Sequence, residues 1–172
     1  VDSVEEVRGS NNVGADGIIT TLKGIWLCVR TADCVPLFIY YPPEPLICAV
    51  HIGWRGLAKG IVERTIEILD NRFNIKKAYM HLFMGPAICQ KHYPVKEDVV
   101  RFFPESVYIK NENSVYNLDI KKAIREKLYR FGVRGEQVFD IGWCTYENPE
   151  LPSYRREKEN LGSEIMNFCR LI

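Results

Sequence analysis

Cys34 and His51 stand seventeen positions apart, and their side chains carry the chemistry that matters most in this sequence. A thiolate and an imidazole together suit zinc, with copper as the other candidate ion, provided that the chain between them turns back on itself. The same pair would serve a metal-free hydrolase, with His51 activating Cys34 as nucleophile. It would equally form part of a closed structural zinc module, or be a packed core thiol and a histidine that ends a strand. Directly after His51 come Gly53, Trp54, Arg55 and Gly56, a strand-to-helix turn. A helix start exposes unpaired backbone N–H groups, and Arg55 adds a planar fork of donors, so this turn would take a phosphate or carboxylate beside the imidazole. The plainer alternative is a tight glycine turn with Arg55 paired to a surface carboxylate.

The elements that must position these groups can be read from periodicity and breakers. Runs at 25–30 and 35–41 are rich in β-branched and aromatic residues and predict strands, with Asp33 and Cys34 at the junction between them. Pro42, Pro43 and Pro45 end the second run, and 46–51 then predicts a buried strand with His51 as its last residue. Apolar positions 57, 58, 61, 62, 66 and 69 recur at helical spacing and predict one amphipathic helix over 57–69. Further strands are expected at 78–84, 138–143 and 165–171, and a short helix at 95–103. A longer helix should be capped by Asp119 and end at Gly132. His81 reads as a structural strand residue and Cys144 as packing, while Trp26 and Tyr40 read as core. The irregular alternation of strands and helices implies an α/β (α+β) fold of layered mixed sheets covered by helices, with residues 1–172 forming a single domain.

Of the 172 residues, 47% are hydrophobic, enough for a sizeable core. Lys and Arg number 23 against 22 for Asp and Glu, which leaves no strong field to hold nucleic acid or an anionic membrane. The longest apolar stretch, 26–41, is interrupted by Arg30 and Asp33, so neither a signal peptide nor a spanning helix is expected. Six cysteines contain no Cys-x-x-Cys pair, which reads as a reducing, cytoplasmic setting without a disulfide framework. The chain opens on Val1, and the expectation is that a segment is missing upstream.

Five motifs carry a resemblance: Ala15-Asp16-Gly17-Ile18-Ile19-Thr20, Thr31-Ala32-Asp33-Cys34-Val35-Pro36, His51-Ile52-Gly53-Trp54-Arg55-Gly56, Gly85-Pro86-Ala87-Ile88 with Tyr93 and Val95, and Ser153-Tyr154-Arg155-Arg156. In order and spacing, over essentially the whole chain, they resemble the laccase-domain family. Members were first called polyphenol oxidases and are now described as purine nucleoside phosphorylases that also deaminate adenosine and act on methylthioadenosine. The resemblance implies a layered mixed-sheet fold and makes Cys34 and His51 two of three zinc ligands. The third would be a histidine in a Gln-x-His-Gly motif, expected upstream of Val1 because no histidine precedes His51. His92 falls at a variable family position. Ile52 replaces a small residue, and Ser163 follows Gly162 where an arginine is common. Purine nucleosides and phosphate are the implied substrates. Arg55 would hold the anion with Arg155 assisting, Tyr154 would stack on the purine, and Asp33 would orient a ligand or shuttle a proton. A copper-dependent polyphenol oxidase is the alternative, although a cluster of several coppers needs more imidazoles than the three present.

Overall fold

Residues 4–6, 14–111 and 115–172 are described by a computed structural model of the chain. In chain order the elements are β1 (Val4–Glu6), β2 (Gly17–Thr20), β3 (Trp26–Thr31), β4 (Val35–Tyr41), β5 (Leu46–Ile52), α1 (Trp54–Ala58), α2 (Ile61–Phe73) and β6 (His81–Met84). They continue with β7 (Pro94–Val95), α3 (Glu97–Val100), β8 (Tyr108–Lys110), β9 (Tyr116–Leu118), α4 (Ile120–Arg130), β10 (Val138–Asp140), α5 (Tyr154–Glu157) and β11 (Ile165–Arg170).

The main sheet runs β1-β2-β5-β4-β6-β10. Its centre is antiparallel, while both outer pairs, β1 with β2 and β6 with β10, are parallel. At its heart, β5 is buried on both faces, which is why 46–51 is an unbroken apolar run. On one face Cys48, Val50 and Ile52 join Leu37 and Ile39 against Ile61, Ile66 and Leu69 of α2 and Ile124 and Leu128 of α4. On the other face Ile47 and Ala49 pack under the antiparallel β3–β11 ribbon, against Leu27, Val29 and Leu171. Full burial of each large aliphatic side chain contributes roughly 2 kcal/mol, so both layers are needed to seat β5. A small antiparallel sheet, β7-β9-β8, is not hydrogen-bonded to the others but adds Val95, Tyr116 and Leu118 to the helix-side core. This is the mixed, layered α/β architecture expected from the sequence.

Several local expectations are corrected. The helix expected over 57–69 is two helices, because Gly60 takes a left-handed φ of 88° between α1 and α2. The helix expected over 95–103 contracts to α3, since Pro94 and Val95 pair with Asn117 and Tyr116 instead. The strand expected from 78 starts at His81, because 77–79 form a 3-10 turn. Trp26 is not core: it is 58% exposed on the outer face of the ribbon, and Tyr40 is also exposed. Asp119 caps α4, accepting from the Lys122 N–H at 2.8 Å, and Gly132 follows the helix with φ 81°, both as expected.

Candidate functional site

The β4–β5 ladder sets Pro36 opposite His51 and Val35 opposite Ile52, so Cys34 and His51 leave the sheet at the same end and on the same face. Gly53 shows how close they are. A Cβ added there would stand 3.0 Å from Cys34 Sγ and 4.0 Å from His51 Cε1, so only glycine leaves this space open. Asp16, on the turn before β2, fixes the histidine twice. Its carbonyl accepts from the His51 backbone N–H at 2.7 Å, and its Oδ1 lies 3.3 Å from His51 Nδ1. A carboxylate at Nδ1 favours the tautomer that leaves Nε2 with its lone pair, as is usual for a metal-ligating imidazole. Burial, together with the Asp33 and Asp16 carboxylates, pushes the Cys34 thiol up to about 11, against the opposing pull of Arg55. A bare thiolate nucleophile is therefore disfavoured at neutral pH, whereas a bound cation would hold the sulfur ionised.

The soft sulfur, the oriented imidazole and the open space at Gly53 fit a zinc or copper ion with two of its ligands supplied here. Among the described residues, no third donor joins Cys34 and His51 in a three-ligand cluster. The histidine expected upstream of Val1 lies outside them.

Asp33 has φ 89°, strained for a non-glycine residue, and is 8% exposed. Its Oδ1 accepts from Thr145 Oγ1 and its Oδ2 from the Arg155 backbone N–H, both at 2.6 Å. These bonds tie Cys34's neighbour to the start of α5. Arg156, next in the chain, donates to the carbonyls of Thr145, Tyr146, Asn148 and Leu151 and so builds the loop beneath. Arg155 points elsewhere. Its guanidinium lies 5.2 Å over the Tyr93 ring, as Arg55's lies 4.6 Å over Trp54.

Arg55, Arg155, Trp54, Lys96 and Val95 line a cleft of about 480 Å³. Three cations against Asp98 give it an anion-attracting bias. Tyr93, under the Arg155 guanidinium, is buried: burial pushes its phenol up, Cys34 and Asp33 add to the shift, and Arg155 and Arg55 oppose it. The phenol stays protonated at neutral pH.

The structure thus draws Cys34, His51, Asp33, Arg55 and Arg155 together. Tyr154 is 61% exposed and does not line the cleft, although it adjoins Arg155 in α5. Asp16, Tyr93, Trp54 and Lys96 were not singled out as site residues from sequence. The Asp16 turn beside β2 was the available signal for the first of them. Lys96 offered none.

Comparison with known proteins follows this geometry. A purine nucleoside phosphorylase of Campylobacter jejuni is 30% identical over 150 residues, covering 86% of this chain and 63% of the relative. Purine nucleoside phosphorylase YlmD of Bacillus subtilis is 32% identical over 160 residues, covering 89% and 57%. A purine nucleoside phosphorylase of Aquifex aeolicus is 34% identical over 151 residues, covering 88% and 69%. The chain thus spans roughly three-fifths of the length of these relatives. Among solved structures, the hypothetical protein YfiH of Bacillus licheniformis superposes with a TM-score of 0.92 at 24% identity, over 99% of this chain and 71% of that one. YlmD of Geobacillus stearothermophilus gives 0.86 at 30% identity, over 92% and 62%. The family model for multi-copper polyphenol oxidoreductase laccase matches residues 1–170, and the chain belongs to that family.

Proposed function

We propose that residues 1–172 act as one domain of a zinc-dependent purine nucleoside phosphorylase that cleaves adenosine, inosine, guanosine and methylthioadenosine and also deaminates adenosine. The observation that carries this reading is that Arg55 and Arg155, which line the cleft, also reach the Cys34 side of the site: Arg55 opposes the rise of the Cys34 thiol, and the Arg155 backbone N–H donates to Asp33, the neighbour of Cys34. The names of the relatives, purine nucleoside phosphorylases, support the phosphorylase part of it.

Phosphorolysis needs phosphate held at the anomeric carbon while the purine departs with its developing charge stabilised. Arg55 and Arg155 hold the phosphate, and Lys96 adds charge from the opposite wall. Tyr154, on α5 beside Arg155, stacks on the purine from outside. Asp33 acts as a positioning residue, because both of its oxygens are committed to Thr145 and to the Arg155 backbone. Cys34 and His51 would hold a zinc ion, which would supply the Lewis acidity for deamination of adenosine. Its substrates are the nucleosides and phosphate of the cytoplasm, and neither nucleic acid nor membrane takes part. Among the described residues, no helix is long and apolar enough to cross a membrane.

Adenosine turnover measured with and without phosphate tests the reading. Adenine and ribose 1-phosphate should appear only with phosphate, and Arg55→Ala should raise the KM for phosphate at least about tenfold by losing a charge-assisted contact. A rate indifferent to phosphate in both proteins would defeat it. The metal-free hydrolase is disfavoured by the raised Cys34 thiol, and the copper oxidase by the few imidazoles.

A further inference from the structure

Behind the loop that holds Asp33, a second group of metal donors gathers. Cys89 and His92 are separated by two residues, as are Cys144 and Glu147, and the two segments meet across a bridge between Ala87 and Cys144. Donor atoms of Cys89, Cys144 and Glu147 all lie within 4.8 Å of one another. The Cys89 backbone N–H donates to Cys144 Sγ at 3.3 Å. His92 stacks on Tyr146, with ring centroids 4.4 Å apart, and its Nε2 lies 2.9 Å from Glu147 Oε1. Lys91 also reaches that oxygen, at 3.6 Å. Cys144 is buried, Cys89 half-buried and Glu147 exposed, so the group is reachable from solvent while its sulfurs are sheltered.

We propose that Cys89, Cys144 and Glu147 supply three ligands of a second zinc site, distinct from Cys34 and His51, with solvent at the fourth position and His92 orienting the glutamate. Two thiolates and a carboxylate suit zinc, and the imidazole on Glu147 is the kind of outer contact that fixes a ligating carboxylate. Both thiols lose their protons to solvent as the ion binds.

The placement gives the site a task. Ile88, one residue before Cys89, donates its N–H to the Asp33 carbonyl at 3.0 Å, and Thr145, one residue after Cys144, donates its hydroxyl to Asp33 Oδ1. An ion clamping residues 89 and 144 therefore braces two of the three partners of the strained residue beside Cys34, the third being the Arg155 backbone N–H. The site does not depend on which reaction the cleft performs.

Cobalt(II) is the probe. The whole chain carrying Cys34→Ala, stripped by chelator, is titrated with cobalt while thiolate-to-cobalt charge-transfer absorption is followed. One equivalent should bind with a strong near-ultraviolet band, and zinc should displace it and raise Tm. Adding Cys89→Ser and Cys144→Ser should abolish the band and the zinc-dependent rise. Glu147→Gln, an exposed change that does not threaten folding, should keep the band but weaken binding at least about tenfold. The proposal is overturned if the Cys34→Ala protein shows no cobalt band, if the band survives loss of both cysteines, or if Glu147→Gln binds cobalt as tightly as its parent. A disulfide between Cys89 and Cys144 that forms in the presence of saturating zinc would overturn it too. None of these readouts involves nucleoside turnover, so they stand apart from the fate of the phosphorylase reading.

Discussion

At His51 a single proton decides what the ring can do. With Asp16 Oδ1 3.3 Å from Nδ1, the proton is held on that nitrogen and Nε2 keeps its lone pair. Asp16→Asn removes the charge and offers an amide that can donate to Nδ1, favouring the opposite tautomer. The expected outcome is a fall of about 10- to 100-fold in kcat/KM for adenosine and in zinc affinity, with Tm nearly unchanged. Steady-state kinetics and metal content would reveal it, and parental values for both would show that Asp16 does not set the tautomer. Gly53 makes a steric version of the same point. Its alanine Cβ would lie 3.0 Å from Cys34 Sγ, tight enough that the thiol must give way by a few tenths of an ångström. Because displacements of about 1 Å near reacting groups can cost about 100-fold, Gly53→Ala should lower kcat at least several-fold while the protein stays folded by circular dichroism. Undiminished turnover would mean that the Cys34 position tolerates the shift.

Among the elements, α4 is fastened to the sheet by charge as well as by Ile124 and Leu128. Asp140 at the end of β10 accepts from Lys121 Nζ at 2.6 Å, from the Gly142 N–H at 2.9 Å and from Arg125 Nη2 at 3.3 Å. Burial alone would raise this carboxyl, but the hydrogen bonds from Lys121 and Gly142 outweigh it and hold it below the usual carboxylate range. Since the folded-state value is the lower one, the pair stabilises the fold at and above the unfolded carboxylate's value of about 4. The contribution disappears as pH falls through the depressed value. Asp140→Asn should therefore melt below its parent at pH 7, and the gap should narrow as pH falls through the acid range and Asp140 gains its proton. A gap that is constant across that range would point to lost packing. These elements were largely legible beforehand: the β-branched and aromatic run at 35–41, the buried run that became β5 and the Asp119 cap all read correctly. The misreadings have a common cause. Gly60, Pro94 and Trp26 were judged from spacing, while a left-handed dihedral, pairing with a strand more than twenty residues away and the outer face of a ribbon decided their fates.

Across the whole molecule the site is a product of distant contacts. Its parts come from the β2 turn, the β4 and β5 ends, α1, the segment around β7, and α5, and the bond from Arg155 to Asp33 spans 122 positions. Cys34, His51, Asp33, Arg55 and Arg155 were legible because their motifs are local. Tyr93 stood in one of the family motifs without a role until Arg155 was seen over its ring, and Lys96 acquires meaning only from the cleft it lines with Arg55 and Arg155. A cleft assembled this way couples occupancy to global stability, because separated segments lose the binding surface on unfolding. A ligand that binds only the folded state adds about 2.7 kcal/mol at a hundredfold excess over its Kd. At this chain length that is a Tm rise of about 5–10 °C. Phosphate at such an excess should therefore raise the melting temperature. Arg155→Ala should keep the fold, since its backbone N–H still reaches Asp33, yet lose most of the phosphate-dependent rise. Sulfate, with similar geometry and charge, should reproduce part of the rise, and chloride at equal ionic strength should not. A rise equal for chloride and phosphate would trace the effect to screening and leave the cleft without an anion to hold.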